Sequence, residues 1–444
     1  MHRPLPAPPS LLLFALSRLR AGVCCAAVLV AAAASCLQAQ AAGLEAQDKV
    51  RLGGGDLLLG VPRSAHSSDE TVSLAELRAW LDRLENHRQL AIELPLGLDA
   101  ARNDTAGVDR NPLTRAKIEL GRQLFFDPRL SSDGAVSCAT CHRPEHGYAA
   151  PTRVGEGVDG LLGTRNAPAA LNRLLSEAQF HDGRAASLEE QALGPMMNAV
   201  EMGSTHELVL DALRRSRGYR LAFERVFADG VTVENAALAI ASFERTLVTG
   251  PSPWDHNARL TAFEEAFAAE LEDPAALADD DPELLAEHES LAAAAQQNPL
   301  SESAARGAAL FFGERGGCSR CHVGANLTDE QFHNLGVGLE RHVSDPQSVD
   351  WGRYAVTGAE ADRGAFKTPT LRNVAQTAPY LHDGSAATLE AVIGLYMQGG
   401  HDNPWLDAKI EPLDLDTAEQ ADLVAFLRSL TGALPPVETR RLPE

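Results

Sequence analysis

Apolar residues recur at helical spacing along much of this chain, whereas the alternation typical of strands rarely persists beyond four residues. Two matching stretches, Ile118–Phe126 and Ala304–Phe312, each predict an amphipathic helix that ends in Leu-Phe-Phe or Ala-Leu-Phe-Phe. Runs rich in Ala, Leu, Glu and Arg repeat the helical period elsewhere. The pattern predicts a mainly α fold with long loops.

A further helix is expected near the N-terminus, where Ser73 and Glu76 have the spacing of a capping box. Four large apolar residues follow on one helical face, so this helix is expected to pack on the core. They are Leu77, Trp80, Leu81 and Leu84.

One apolar run has a different character. Ala21–Ala34 follows three arginines and precedes the small-x-small triplet Ala39-Gln40-Ala41. This order predicts an export signal over residues 1–41 that is removed, and hence a periplasmic protein. A retained membrane anchor is the alternative, because the run is about one span long; lipid attachment at Cys36 is another. No later stretch is apolar enough to span a bilayer, so we expect no membrane span in the mature chain.

The pentapeptide Cys-x-x-Cys-His occurs twice. It is the attachment signal of a covalently bound c-type haem, in which the cysteines form thioethers and the histidine is the proximal iron ligand. The other three of the seven cysteines lie in the predicted signal, so none is left for disulfides or zinc. We therefore predict two haem c cofactors, bound through Cys138, Cys141, His142, Cys318, Cys321 and His322.

The formal net charge of −22 narrows the range of partners. The predicted signal holds three arginines and no acids, so the mature chain lies three units lower, near −25. Such a charge argues against nucleic acid and anionic membrane surfaces as partners. It is equally compatible with a basic redox partner and with no specific partner at all.

The two haem motifs lie in repeated surroundings. Phe180–Glu189 and Leu381–Glu390 share the pattern His-Asp-Gly-x-Ala-Ala-x-Leu-Glu, and an internal duplication explains the match. We predict two cytochrome c-like haem domains related by this duplication. The expected segments are an N-terminal extension over 42–110, an N-terminal haem domain over 111–262, an acidic helical insertion or linker over 263–300 and a C-terminal haem domain over 301–434.

The function of each haem depends on the sixth position of its iron. A second strong ligand such as Met, His or Tyr makes an electron-transfer centre. An open position beside an acid–base group makes a site that can cleave hydrogen peroxide, because a proton must move between the peroxide oxygens before water leaves. Two haems in one chain therefore suggest that one reacts while the other relays electrons.

An ordered set of motifs resembles the bacterial di-haem cytochrome c peroxidases and their relatives, the MauG-type enzymes. The resemblance runs from about residue 112 to 432. The motifs are Leu124–Asp127, Cys138–His142, Arg165–Pro168, Asp182–Arg184, Gln191, Gly194-Pro195, Glu201-Met202, Cys318–His322, Thr368–Arg372 and Ala378–Gly384.

The resemblance implies that the haem of His142 is peroxidatic. Glu201 matches the catalytic acid–base carboxylate of the family, and Gln191 a neighbouring position in the distal pocket. Some members also carry a distal histidine in the loop after the first haem motif, where this chain has Val158. We therefore expect this haem to be open in the resting protein, as in MauG-type members.

For the haem of His322 the resemblance implies electron transfer and a distal ligand on the helix after the second His-Asp-Gly motif. Tyr396 matches that position, with Met397 as the alternative, since only one of two adjacent helical residues can face the iron. The family also binds a calcium ion between its domains, and the matching ligands are the Asn166 side chain and the carbonyl groups of Thr377 and Pro379.

The leading interpretation is an exported di-haem peroxidase that reduces H2O2 with electrons from a small redox protein, either a cytochrome c or a cupredoxin. One alternative is a MauG-type oxidase that uses a high-valent iron state to oxidise side chains of a partner protein. Tyr396 and Val158 favour it, whereas His181 and Gly316 oppose it, because they stand where the resemblance implies redox-active tryptophans. A plain di-haem electron carrier is the second alternative, and Glu201 argues against it.

Overall fold

Helices dominate the architecture, as the apolar pattern predicts. A computed structural model describes residues 48–53, 71–339, 344 and 346–444; the predicted export signal lies outside them. Within those ranges no helix is both long and apolar enough to cross a bilayer. The helices are α1 (Leu74–Leu81), α2 (Arg115–Phe125), α3 (Cys138–Cys141), α4 (Leu188–Met197), α5 (His206–Arg215), α6 (Arg217–Val226), α7 (Val233–Glu244), α8 (Pro253–Ala266), α9 (Pro274–Asp280), α10 (Pro282–Gln297), α11 (Glu302–Phe312), α12 (Tyr354–Thr357), α13 (Leu389–Met397) and α14 (Thr417–Ser429).

The strands are short and form three two-stranded pairs among the described residues. β1 pairs with β3, β2 runs parallel to β6, and β4 runs antiparallel to β5 with His333 opposite Phe366. The strands are β1 (Asp48–Arg51), β2 (Thr71–Val72), β3 (Leu90–Glu93), β4 (Phe332–Asn334), β5 (Ala365–Lys367) and β6 (Leu442–Pro443).

Two crossed helix pairs support the two haem motifs. In the first, α2 crosses α7 so closely that a Cβ atom on Gly121 would lie 1.8 Å from the carbonyl oxygen of Ala239. In the second, α11 crosses α14, and a Cβ on Gly307 would lie 1.9 Å from the carbonyl oxygen of Asp422. Only glycine allows either approach.

The same aromatic packing fills both crossings. Phe125 meets Phe243 with ring centroids 5.2 Å apart, and Phe311 meets Phe426 at 4.9 Å. Each pair belongs to its own hydrophobic cluster. Phe125 and Phe311 therefore serve as core residues beneath the haem motifs, whereas Phe312 is 44% exposed.

In the N-terminal extension, the predicted helix α1 is present and carries the predicted capping box between Ser73 and Glu76. Leu77, Trp80 and Leu81 are buried, as expected. The prediction is wrong for Leu84, whose side chain is 79% exposed. α1 ends at Leu81, and Leu84 begins a separate 3-10 turn that rotates it out of the apolar face.

The acidic stretch between the two haem motifs is helical and mostly exposed, in agreement with its composition. It comprises the end of α8 together with α9 and α10. Phe263 and Leu277 are buried within it, and His288 contacts Glu264 at 3.1 Å between Nε2 and Oε1. The stretch therefore packs on itself, and its carboxylates remain in solvent.

Candidate functional site

The first Cys-x-x-Cys-His motif lies in the wall of a cavity of about 740 Å³. Ser137 and Thr140 form a capping box that begins the one-turn helix α3, and this turn carries Cys138 and Cys141. His142 follows at its C-terminal end and lines the cavity with both cysteines.

The His142 ring is held in one orientation. Its Nδ1 lies 3.2 Å from the carbonyl oxygen of Tyr148, which accepts a hydrogen bond from the ring N–H. Nε2 is then left as the free lone pair, the atom that a metal needs. Burial lowers the pKa of His142, which keeps the ring neutral.

The second motif lines a smaller cavity of about 390 Å³. Cys318, Cys321 and His322 all contribute to its wall. The His322 ring is oriented in the same way, with Nδ1 3.0 Å from the carbonyl oxygen of Leu327. Burial lowers the pKa of this histidine as well.

Both sites fit a covalently bound haem. Each presents two unpaired thiols and one neutral imidazole to a single cavity, which is the ligand set that a c-type haem requires.

The carboxyl group of Glu201 lies in the larger cavity together with His142. It follows helix α4 in a turn, and its Oε1 accepts a hydrogen bond of 2.7 Å from the side-chain amide of Asn198. Burial raises the pKa of Glu201, and Arg184 and Asn198 oppose that rise. A carboxyl group with a raised pKa can exchange a proton nearer neutral pH than an ordinary glutamate.

Gln191 and Pro195 are four residues apart on α4 and line the same cavity as Glu201. Ser187 caps the start of this helix by accepting a hydrogen bond from the backbone N–H of Glu190. The structure therefore brings Glu201 and Gln191 together in one pocket, as the resemblance implies, and places Pro195 beside them.

The loop after the first haem motif packs against the turn of Glu201. The backbone N–H of Val158 donates to the carbonyl oxygen of Glu201 at 2.8 Å, and Val158 is only 3% exposed. The loop is fixed by its neighbours, because a Cβ on Gly157 would lie 1.9 Å from the carbonyl oxygen of Val200. An apolar residue thus stands at the position where the resemblance implies a distal histidine in some members.

In the smaller cavity, α13 presents Tyr396 to the interior. Met397, one residue later, packs against the hydrophobic cluster around α14. Burial raises the pKa of Tyr396, with further contributions from Cys318 and Cys321. This arrangement favours Tyr396 over Met397 as the residue that faces an iron bound by His322.

A wall of shared residues separates the cavities, and His181 is one of them. Its Nε2 donates to the carbonyl oxygen of Asn166 at 3.0 Å, and burial lowers its pKa to about 4. His382 stacks on Phe366 beside it, with ring centroids 3.5 Å apart and an interplanar angle of 10°. A neutral imidazole therefore occupies the place between the two haem sites.

The sequence alone did not identify several residues of these walls. Arg173 and Lys367 line both cavities, and the Lys367 ammonium pairs with Glu330 at 2.6 Å. Glu244 lines the larger cavity, and its Oε2 is buried without a partner. Burial raises the pKa of Glu244 to about 8. Its only sequence signal is a glutamate inside the apolar run of α7.

The three residues matched to calcium lie in the wall of the smaller cavity. The side-chain amide of Asn166 donates to the carbonyl oxygen of Thr152 at 2.8 Å, which leaves its oxygen for another partner. The Thr377 hydroxyl donates to the carbonyl oxygen of Val374 at 3.1 Å. Pro379 follows two residues after Thr377, and all three candidate calcium ligands line the same cavity.

Gly316 has no room for the tryptophan that the resemblance implies at this position. A Cβ there would lie 2.2 Å from the carbonyl oxygen of Leu310, at the end of α11. The backbone at this position therefore excludes the side chain that the resemblance implies.

Comparisons with known proteins agree with this geometry. A family model described as di-haem cytochrome c peroxidase matches residues 115–262. The chain is 35% identical to the methylamine utilization protein MauG of Methylorubrum extorquens, over 75% of this chain and 83% of that protein. It is 36% identical to cytochrome c551 peroxidase of Nitrosomonas europaea, over 73% of this chain and 83% of the relative.

A solved structure also resembles the fold. It is a MauG-like protein associated with microbial copper homeostasis, matched with a TM-score of 0.61 and 29% identity over 73% of this chain and 91% of the other. Together with the two thiol–imidazole sites, these relatives identify two haem c groups as the cofactors. The chain belongs to the di-haem cytochrome c peroxidase and MauG family of oxidoreductases.

Proposed function

We propose that this protein reduces hydrogen peroxide to water in the larger cavity, with electrons delivered through the haem attached at Cys318 and Cys321. One observation carries the proposal: His142 and the carboxyl group of Glu201 line the same cavity. The buried Val158 beside them supports an open distal side, because no histidine occupies that position.

The chain's own residues supply the proton chemistry. Haem bound at His142 would supply the iron at which the O–O bond of peroxide breaks. Glu201 would take a proton from one oxygen of hydrogen peroxide and return it to the other, which leaves as water. Each H2O2 consumes two electrons and two protons and yields two water molecules. The Gln191 amide can donate a hydrogen bond that holds the substrate.

The smaller cavity has the features of an electron store. Tyr396 would close the sixth position of an iron bound by His322, and apolar side chains of α13, including Val392 and Ile393, exclude water around it. We propose a small redox protein, a cytochrome c or a cupredoxin, as the donor. The acidic surface of the chain would favour a basic partner.

The second candidate is a MauG-type oxidase of a partner protein. Tyr396 in the cavity and Val158 in place of a distal histidine favour it, and the chain is similar to named MauG proteins. The tight backbone at Gly316 and the neutral His181 between the sites argue against it, because imidazole is harder to oxidise than indole.

We also infer several finer features. The export signal at 1–41 would direct the protein to the periplasm. The haem domains over 111–262 and 301–434 would derive from a duplication, which their matched helix crossings support.

One calcium ion would bind to Asn166, Thr377 and Pro379. Removal of calcium with a chelator should then lower peroxidase activity and leave both haems attached.

A mixing experiment tests the proposal. Resting ferric holoprotein is given H2O2 and then reduced cytochrome c. Rapid oxidation of cytochrome c supports the peroxidase, whereas a long-lived oxidised protein that ignores cytochrome c supports the oxidase, and no reaction leaves the electron carrier. The resting protein should also show one high-spin, five-coordinate haem; two low-spin haems would contradict an open site.

A further inference from the structure

A buried histidine beside the second haem motif is held between two carboxylates. His333 lies on β4 and is 8% exposed. Its Nδ1 lies 2.6 Å from Oδ2 of Asp407, and its Nε2 lies 2.8 Å from Oδ2 of Asp329. Both ring nitrogens thus meet a carboxylate oxygen at hydrogen-bond distance.

This geometry requires a charged imidazole. A carboxylate can only accept hydrogen bonds, so each ring nitrogen must carry a proton to bond to its partner. A neutral ring would place one lone pair against a carboxylate oxygen at less than 3 Å. The Cys321 sulfur and the carboxylates of Asp407 and Asp329 also raise the pKa of His333, against the effect of burial. Thioether formation removes the first of these partners and leaves the two carboxylates.

The charged group lies against the attachment point of the second haem. The Cys321 sulfur, an Asp329 oxygen and a His333 nitrogen lie within 4.8 Å of one another. Such a trio could hold a metal ion if Cys321 were free, but a thioether to haem uses that sulfur. His333 and Lys409 both line the smaller cavity. The group is therefore part of the haem wall.

Lys409 completes the group. Its Nζ lies 3.7 Å from Oδ2 of Asp329 and 3.9 Å from the Cys321 sulfur, and its side chain is 43% exposed. Two negative and two positive charges thus surround one side of the haem site.

The larger cavity has different charges at the matching place. The Cys141 sulfur lies near the carboxylates of Glu201 and Glu156 and near Arg143, an exposed arginine. No buried imidazolium is near it among the described residues. The two haems therefore have different fixed charges beside their second thioether.

We propose that the group Asp329–His333–Asp407 with Lys409 sets the reduction potential of the haem attached at Cys321, with the His333 imidazolium as its buried positive charge. A positive charge beside a haem favours the ferrous form, and a negative charge favours the ferric form. His333 is a positioning residue in this role, because it touches the attachment cysteine and not the iron. The inference rests on haem attachment and not on peroxide chemistry.

Charge-changing variants of the holoprotein test the inference. His333→Gln removes the positive charge and should lower the midpoint potential of the second haem, whereas Asp407→Asn should raise it. We expect about a tenfold change in the ferrous-to-ferric ratio in each, or about 59 mV for one electron. Spectroelectrochemical titration at several pH values between about 5 and 7 measures this, and the rise in Asp407→Asn should be largest at the lowest pH, where the imidazole keeps its proton. The first haem serves as the internal reference.

A structural role would give a different result. Loss of packing alone would move the midpoint potentials of both haems in the same direction or change the low-spin spectrum of the second haem. Either outcome overturns the proposal, and so does the absence of a shift. Lys409→Gln removes the more exposed positive charge and should also lower the midpoint potential of the second haem, while both hydrogen bonds of His333 remain. His401→Gln, an exposed histidine in the same half, is the matched control and should leave both potentials unchanged. Failure of peroxidase activity would not affect these readings.

Discussion

The two haem sites have the same framework and different contents. In each half, a helix crossing at a glycine packs one phenylalanine pair beneath a haem motif, and a backbone carbonyl orients the proximal histidine. The cavities above them differ in size, about 740 Å³ in the first half and about 390 Å³ in the second. The scaffold that the two halves share therefore cannot by itself determine which of the two haems reacts with peroxide.

The difference can be read at equivalent positions of the two His-Asp-Gly motifs. His181 and His382 are 201 positions apart, and the same offset relates Pro195 to Tyr396 and Gln191 to Val392. It also relates Arg184 to Ser385. The second half thus has a tyrosine ring where the first half has a proline, and an apolar valine where the first half has the amide of Gln191. If the first haem site is open and the second closed, as we propose, few side chains make that difference.

The largest expected effect concerns the carboxyl group of Glu201 in the larger cavity. Glu201→Gln keeps the acceptor for Asn198 but cannot move a proton, so kcat/KM for H2O2 should fall by about 10²–10⁴-fold. Stopped-flow reaction with peroxide measures this. Glu224→Gln, an exposed glutamate on α6, is the control. Equal activity in both variants would remove Glu201 from the mechanism.

If Tyr396 closes the second haem site, as we propose, removal of one atom should open it. Tyr396→Phe removes the phenolic oxygen while the ring still fills the cavity, so the low-spin signal of the second ferric haem should be lost. Electron paramagnetic resonance of the resting protein detects the change. Met397→Leu, in the adjacent position on α13, should leave the spectrum unaltered. The reverse result would make Met397 the ligand.

Local features of both halves were predictable from the sequence, and the wall between them was not. Haem attachment and the capping box of Ser73 depend on residues within a few positions of each other. The wall depends on distant pairs, such as His181 with Lys367, which are 186 positions apart and joined at 2.7 Å by a hydrogen bond from the Lys367 N–H to the His181 carbonyl oxygen. The error at Leu84 has a local cause, because the helical period was continued beyond the end of α1.

The shared framework predicts equal sensitivity at its two glycines. Gly121→Ala and Gly307→Ala each place a methyl group against a backbone carbonyl, so each should lower the free energy of unfolding by about 1–3 kcal/mol or more. Thermal unfolding of the holoprotein measures it. Gly394→Ala is the control, since no atom lies within 4 Å and alanine favours a helix by about 1 kcal/mol. A large effect in only one half would show that the crossings are not equivalent.

The smallest expected effect concerns Arg184, whose equivalent in the closed site is Ser385. Arg184 lowers the pKa of Glu201 against the larger effect of burial. Glu201 must be ionised to accept a proton, so activity falls as the pH drops through this pKa. In Arg184→Ser the pKa rises further, and the acidic limb of kcat/KM should move to higher pH by about one unit or less.

Arg259→Ser, at an exposed position on α8, is the control and should leave the acidic limb in place. Arg184 also pairs with Asp182 at 3.1 Å and stacks on Phe180, so its loss alters two contacts besides the charge. A lower plateau with an unmoved limb would mean that Arg184 acts through those contacts. If the acidic limb of kcat/KM moves to higher pH while the plateau value is unchanged, the charge of Arg184 sets the pKa of Glu201. The second haem site, which has Ser385 at the equivalent position, would need no such charge.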